Sequence, residues 1–188
     1  MARPVAVAIT GGIGAGKSEA LKAFARHGAA TISSDEIVHR LLREDDEVRR
    51  AIIERLGEEV LSNGAIDRRK VAGLVFGDYE RLDWLERLLH PRVIREYLAW
   101  QEEQTAPLTV TEVPLLFEAG GETRFDKVVV ITAPARLREG RSPQTDERER
   151  RLLPDEEKVR RADFAYENTG SLGELDAWVA GVVAELTR

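Results

Sequence analysis

The stretch Gly11-Gly12-Ile13-Gly14-Ala15-Gly16-Lys17-Ser18 matches G-x-x-x-x-G-K-[ST] at every fixed position. The chemistry it can do is phosphate binding. Glycines let the backbone curl until several N–H groups converge on one anion. A lysine in this position supplies a mobile charge for the β- and γ-phosphates, and the hydroxyl after it is a hard oxygen ligand for Mg²⁺. Gly11, Gly12, Ile13, Gly14, Ala15, Gly16, Lys17 and Ser18 are therefore the expected contacts of a nucleoside triphosphate, ATP with Mg²⁺. Glu19 stands beside them where many such loops carry Thr, so one hydroxyl contact to the α-phosphate is missing. The plain alternative is a glycine turn with a solvated lysine; the sequence on either side argues against it.

A phosphate loop needs a strand before it and a helix after it, because the helix N-terminus adds its positive dipole end. Pro4 to Thr10 is a short apolar run, read as a buried parallel strand. Lys17 to His27 places Ala20, Leu21, Phe24 and Ala25 on one helical face, and Gly28 ends it. Ala29–Ser33, Leu108–Val113, Lys127–Thr132 and Ala162–Glu167 read as four further strands, Glu36–Arg43 as a helix, and Leu172–Leu186 as an amphipathic closing helix. Strands alternating with helices imply an α/β fold, a five-stranded parallel sheet with helices on both faces. Ligands on such sheets bind beyond the carboxyl ends of the strands. Residues 45–104 are mostly helical, with breaks near Gly57, Asn63-Gly64 and Gly77, and are too long for an ordinary crossover. They are expected to form an inserted helical subdomain within one domain spanning 1–188.

Bulk properties narrow the class. The 188 residues suit one compact α/β domain, and 43 % hydrophobic residues allow a packed core. A net charge of −6 argues against nonspecific nucleic-acid binding. The absence of cysteine excludes disulfides, zinc-thiolate sites and thiol catalysis, and fits a reducing cytoplasm. The run Val5 to Ile9 is too short for a signal peptide or a membrane span, so a soluble chain is expected. The oligomeric state stays open and is compatible with a monomer.

A phosphate loop alone does not separate kinases from GTPases or motor ATPases. The guanine-reading Asn-Lys-x-Asp pattern is absent and the chain is short for a motor, which favours a small kinase. Asp35, just past the second strand, is placed to accept a proton from an attacking hydroxyl or, as an alternative, to cap the following helix. Glu112, at the end of the third, could hold the Mg²⁺ shell or be merely solvated. The segment 136–158 is read as a short lid whose arginines, Arg138 and Arg141 first, would clamp developing phosphoryl charge; a solvated charged helix is the alternative.

Several segments together resemble the dephospho-coenzyme A kinase family. They are Thr10–Ser18, Ser34–His39, Leu89-His90-Pro91, Val113-Pro114-Leu115-Leu116-Phe117-Glu118, Glu156–Lys158, and Ala162-Asp163 with Asn168-Thr169-Gly170. The resemblance implies a P-loop NTPase fold of the nucleoside-monophosphate-kinase type. It implies transfer of the γ-phosphoryl of ATP to the ribose 3′-hydroxyl of dephospho-coenzyme A, the last step of coenzyme A synthesis. Asp35 matches the second Asp of the family's Asp-Ala-Asp, the base, while Ser33 replaces the first. His39, His90 and Arg95 would serve acceptor recognition, with Leu115 and Glu118 contributing. Asn168 and Gly170 would lie near the adenine. The sequence departs from the family in a shortened lid and in Leu152 where the family has Gln. Two rivals remain at this point: a small kinase acting on another acceptor, and a nucleotide-binding regulator without transferase activity.

Overall fold

A computed structural model describes residues 3–139 and 152–188. Arg141 and most of the expected lid lie outside the described residues. Seven strands occur among them: β1 (Val5–Thr10), β2 (Ala30–Ser33), β3 (Leu61–Ser62), β4 (Ala65–Ile66), β5 (Leu108–Glu112), β6 (Lys127–Thr132) and β7 (Phe164–Glu167). The helices are α1 (Lys17–Arg26), α2 (Ser34–Glu44), α3 (Asp46–Leu56), α4 (Arg68–Val75), α5 (Tyr79–Glu102), α6 (Ala135–Glu139), α7 (Asp155–Arg160) and α8 (Leu172–Leu186). The described residues fall into two compact units, Ser34–Glu103 and the chain on either side of it.

The flanking chain builds a five-stranded sheet in the order β2-β5-β1-β6-β7, with every pairing parallel. β5 is buried along its whole length, and β1 and β6 are buried except at their ends, as strands covered on both faces are. Val7, Ile9, Val110, Val129 and Ile131 pack with Ala20 and Phe24 of α1 and Leu175, Val179 and Val182 of α8. Ala8, Val128 and Val130 point the other way, onto Leu116 and Phe117 after β5, with Leu153 and Ala162 closing in. Chain segments outside regular helix thus cover much of this second face, and α7 packs on β6. β7 is two residues shorter than expected at its start. Asp163 does not continue the strand; its carboxylate accepts from Val128 N (2.8 Å) and its N–H donates to Val128 O (2.9 Å).

The Ser34–Glu103 unit has its own core, formed by Leu42, Val48, Ile52, Leu56, Val60, Val71 and Val75. It begins at Ser34 and so contains α2, which the sequence pattern leaves with the main sheet. Asp45 and Asp67 cap α3 and α4 through backbone N–H groups. One expectation is corrected here. Asn63-Gly64 does more than break a helix: with φ of 51° and 77° it is the tight turn of the β3–β4 hairpin. α5 runs through Leu89-His90-Pro91. Proline removes a backbone donor there, and Arg92 Nη1 donates to Leu88 O at 2.9 Å beside the gap.

Candidate active site

The site is assembled on the carboxyl edge of the sheet. β1 ends at Thr10 and the chain turns at once into the glycine loop, with α1 starting at Lys17. Gly11, at φ 141°, passes so close to the carbonyl of Ile131 that a Cβ would overlap its oxygen. Gly16 is left-handed (φ 102°) and stands as the residue before α1, a conformation that favours glycine. Lys17 is buried and folds back over the loop, its Nζ donating to Gly12 O at 2.9 Å. Ser18 is exposed in the first turn of α1, and its hydroxyl donates to Glu112 Oε2 at 3.2 Å. The loop, its lysine, its hydroxyl and a strand-end carboxylate therefore meet within one unit.

Sheet register explains how Glu112 comes to be there. It pairs with Ile9 of β1 on one side and Ser33 of β2 on the other. Both Glu112 and Ser33 are 8 % exposed. Asp35 follows Ser33 by two residues and opens the other unit, exposed in the first turn of α2. Because α2 starts at Ser34, Asp35 is inside the helix rather than at the capping position expected as the alternative to catalysis.

Asn168 comes from the far side of the sheet, just after β7. Its side chain is 5 % exposed and Nδ2 donates to Ala15 O at 2.9 Å. A Cβ on Gly16 would collide with that same Nδ2. Asn168 thus grips the loop backbone directly. Gly170 is exposed and lies against the Glu174 carboxylate of the Ser171–Glu174 capping box.

Arg138, in α6, also reaches the loop. A Cβ on Gly12 would stand 2.6 Å from Arg138 Nη1 and 3.4 Å from Asp155 Oδ1, while one on Gly14 would stand 3.2 Å from Arg138 O. Arg138 Nη1 lies 3.6 Å from Asp155 Oδ2. No local signal in the sequence singles out Asp155, a surface-type acid at the start of a short helix.

Leu115 is half-buried between β5 and the packed pair Leu116 and Phe117. Glu118 turns inward. Its Oε1 accepts from Leu153 N at 2.8 Å and lies 3.1 Å from Lys158 Nζ, close enough for an ion pair though not aligned as a hydrogen bond. Lys158 is fully buried. In the Ser34–Glu103 unit, His39, His90 and Arg95 are all exposed, His39 on α2 and the others on α5. These two helices pack together, and Arg40 Nη2 donates to Glu96 Oε2 at 2.8 Å beside His39 and Arg95.

Ser18 and Glu112 offer two hard oxygens, the donor type Mg²⁺ takes. Among the described residues no group of three or more His, Asp and Glu side chains could hold a metal ion. Among the described residues no helix is long and apolar enough to cross a membrane.

The dephospho-CoA kinase family model matches residues 5–174. A dephospho-CoA kinase of Thermus thermophilus is 40 % identical over 192 aligned positions, covering 98 % of this chain and 93 % of that protein. A solved Thermus thermophilus structure superposes with a TM-score of 0.82 at 37 % identity, with 100 % of each chain covered. The structure of dephospho-CoA kinase from Campylobacter jejuni gives a TM-score of 0.65 at 25 % identity, with 98 % of each covered.

Proposed function

The chain belongs to the dephospho-CoA kinase family, and we propose, from that membership and the loop geometry, how its residues carry out the transfer. The enzyme phosphorylates the ribose 3′-hydroxyl of dephospho-coenzyme A with ATP, giving coenzyme A and ADP. The observation that carries the mechanism is the Lys17–Gly12 closure of the glycine loop beside Ser18 and Glu112.

Backbone N–H groups of residues 12–18 bind the β- and γ-phosphates, and Lys17 Nζ exchanges its Gly12 carbonyl for phosphate oxygens. Ser18 and Glu112 are the residues that would hold Mg²⁺, which when bound neutralises phosphate charge. Asn168 keeps the loop in shape from β7. Asp35 accepts the proton of the ribose 3′-hydroxyl as its oxygen attacks the γ-phosphorus; the bond from that phosphorus to the β–γ bridging oxygen breaks, and ADP leaves. Chain continuity supports this role, since β2 ends at Ser33 in register with Glu112. Arg138 stabilises the charge that spreads over the transferring oxygens. The exposed His39, His90 and Arg95 face solvent on the helical unit and serve to recognise the acceptor. The whole reads as one kinase domain with a helical acceptor-binding insertion and a short lid, working in the cytoplasm on small molecules.

A coupled assay of ADP release across acceptors tests this. Dephospho-coenzyme A should give the highest kcat/KM, above nucleosides, nucleoside monophosphates and shikimate. Asp35→Asn should lower kcat by about 10²-fold or more, the range of a lost general base, with ATP binding little changed. An unchanged kcat would remove Asp35 from the reaction.

A further inference from the structure

The described residues on either side of 140–151 meet over the phosphate loop, and they bring an acid with them. Arg138 comes from α6 and Asp155 from the first position of α7. Both groups sit on Gly12, and the guanidinium is 3.6 Å from the carboxylate. An unpaired carboxylate here would repel a triphosphate, so its presence calls for a reason. The two side chains are 21 % and 26 % exposed. At that depth the attraction is screened less than on the open surface. A guanidinium carries five donors in a planar fork. It can therefore keep one edge on Asp155 and turn another to a phosphate.

The base of Asp155 is unusually well anchored. One helical turn after it, Lys158 is fully buried against Glu118, and Glu118 also takes the N–H of Leu153, just ahead of α7. Arg161, at the other end of α7, lies 4.3 Å above the Phe117 ring and pairs with Glu122. α7 is thus pinned to the turn that follows β5, the strand whose end supplies Glu112. A rigidly held acid is suited to holding a long arginine in one rotamer, because such a side chain otherwise loses conformational entropy when it is fixed on a ligand.

We propose that Asp155 is a positioning residue for phosphoryl transfer, aiming Arg138 at the phosphates from a helix fixed by the buried Lys158–Glu118 pair. The proposal rests on the role given above to Arg138, and acts only through it.

A double-mutant cycle read in steady-state kinetics separates the two. Arg138→Ala alone tests the arginine: an unchanged kcat would refute its role and the positioning of Asp155 with it. With that role upheld, Asp155→Asn should lower kcat by about tenfold in the wild-type background and by less than twofold in the Arg138→Ala background, as expected of residues acting as a unit. KM for ATP should not rise in Asp155→Asn, because a negative charge beside the loop has been removed. Asp155→Glu should recover part of kcat. A loss of the same size in both backgrounds, or a raised KM with kcat intact, would overturn the proposal while leaving Arg138 in place. Unchanged circular dichroism and melting temperature in Asp155→Asn confirm that the kinetic change is not unfolding.

Discussion

Lys158 is a fully buried charge, and its removal should be felt throughout the larger unit. At 3.1 Å from Glu118 Oε1, Coulomb's law with an effective dielectric of about 20 gives roughly 5 kcal/mol of attraction. Desolvation of two ions costs several kcal/mol each, so the pair's net contribution is close to zero. Breaking it is a different matter, because the surviving charge keeps its desolvation and loses its partner. Such losses run to about 3–5 kcal/mol. Glu118 is 13 % exposed and retains the Leu153 N–H, so Lys158→Met belongs at the lower end, about 3 kcal/mol. For a chain of this size that is a fall in Tm of roughly 6–12 °C. Glu118→Gln strands the more deeply buried member and should cost at least as much. Lys158→Met with Glu118→Gln leaves an apolar chain against a neutral amide and should recover to within about 1 kcal/mol of wild type. Urea denaturation followed by circular dichroism, with the midpoints compared across all four proteins, measures this. A Lys158→Met loss under about 1 kcal/mol, or a double variant no better than the sum of the singles, would refute the account of the pair as a mutual dependence of two buried charges.

Asn168→Ala removes a buried donor from Ala15 O and should lower stability by about 1–3 kcal/mol; it should also raise KM for ATP, since the loop loses its brace, and a KM equal to wild type would show that the loop holds its shape without Asn168. Part of the acid sensitivity should come from the two aspartates that staple strand starts, together with Asp67 and Asp176, whose carboxyls are also held low by their hydrogen bonds. Two hydrogen bonds from Arg3 hold the Asp126 carboxyl below its ordinary value of 3.8; burial opposes them, and Ala6 N helps. Burial pushes the Asp163 carboxyl up, but Lys127 Nζ and Val128 N more than offset it, so it too lies lower in the folded protein. A carboxyl whose folded value lies below its unfolded value contributes stability that is complete above the unfolded value and lost as pH falls through the folded one. The urea midpoint should therefore be flat near neutrality and fall below about pH 5, and Asp126→Asn with Asp163→Asn should flatten that fall; an unchanged slope would place the acid sensitivity elsewhere.

Local pattern carried much of the fold. β6 and α8 coincide with the apolar run Lys127–Thr132 and the periodic stretch Leu172–Leu186, because each element has enough residues to show its period. The β3–β4 hairpin escaped notice since two-residue strands have no visible alternation, although Asn63-Gly64 was the available signal. α5 passes through Pro91 against the usual rule; the helix is long enough for tertiary packing to outweigh one lost bond. At the site, the glycine loop, Lys17 and Ser18 were legible because a strand–loop–helix motif fixes their spacing, whereas Glu112 is brought beside them by sheet register. The Asn168–Ala15, Arg138–Asp155 and Lys158–Glu118 contacts were not legible. Asn168 and Ala15 are far apart in sequence, and nothing local in an acid at a short helix start, or in a lysine among charged neighbours, distinguishes a buried partner from a solvated one.

Ser33 shows how a departure from the family pattern fits its surroundings. Its position pairs directly with Glu112, and both residues are nearly sealed from solvent. A carboxylate at 33 would place a second acid beside the one already at the end of β5. Two like charges that close and that buried drive one of them to take up a proton. A hydroxyl in the same place avoids that conflict, since it can donate or accept as its neighbours require. Asp35, two residues on and exposed to solvent, meets no such restriction. Glu112 keeps the Ser18 hydroxyl as a partner. The serine thus leaves Glu112 as the one acid at this point of the strand edge, where an Asp at 33 would crowd a second carboxylate beside it.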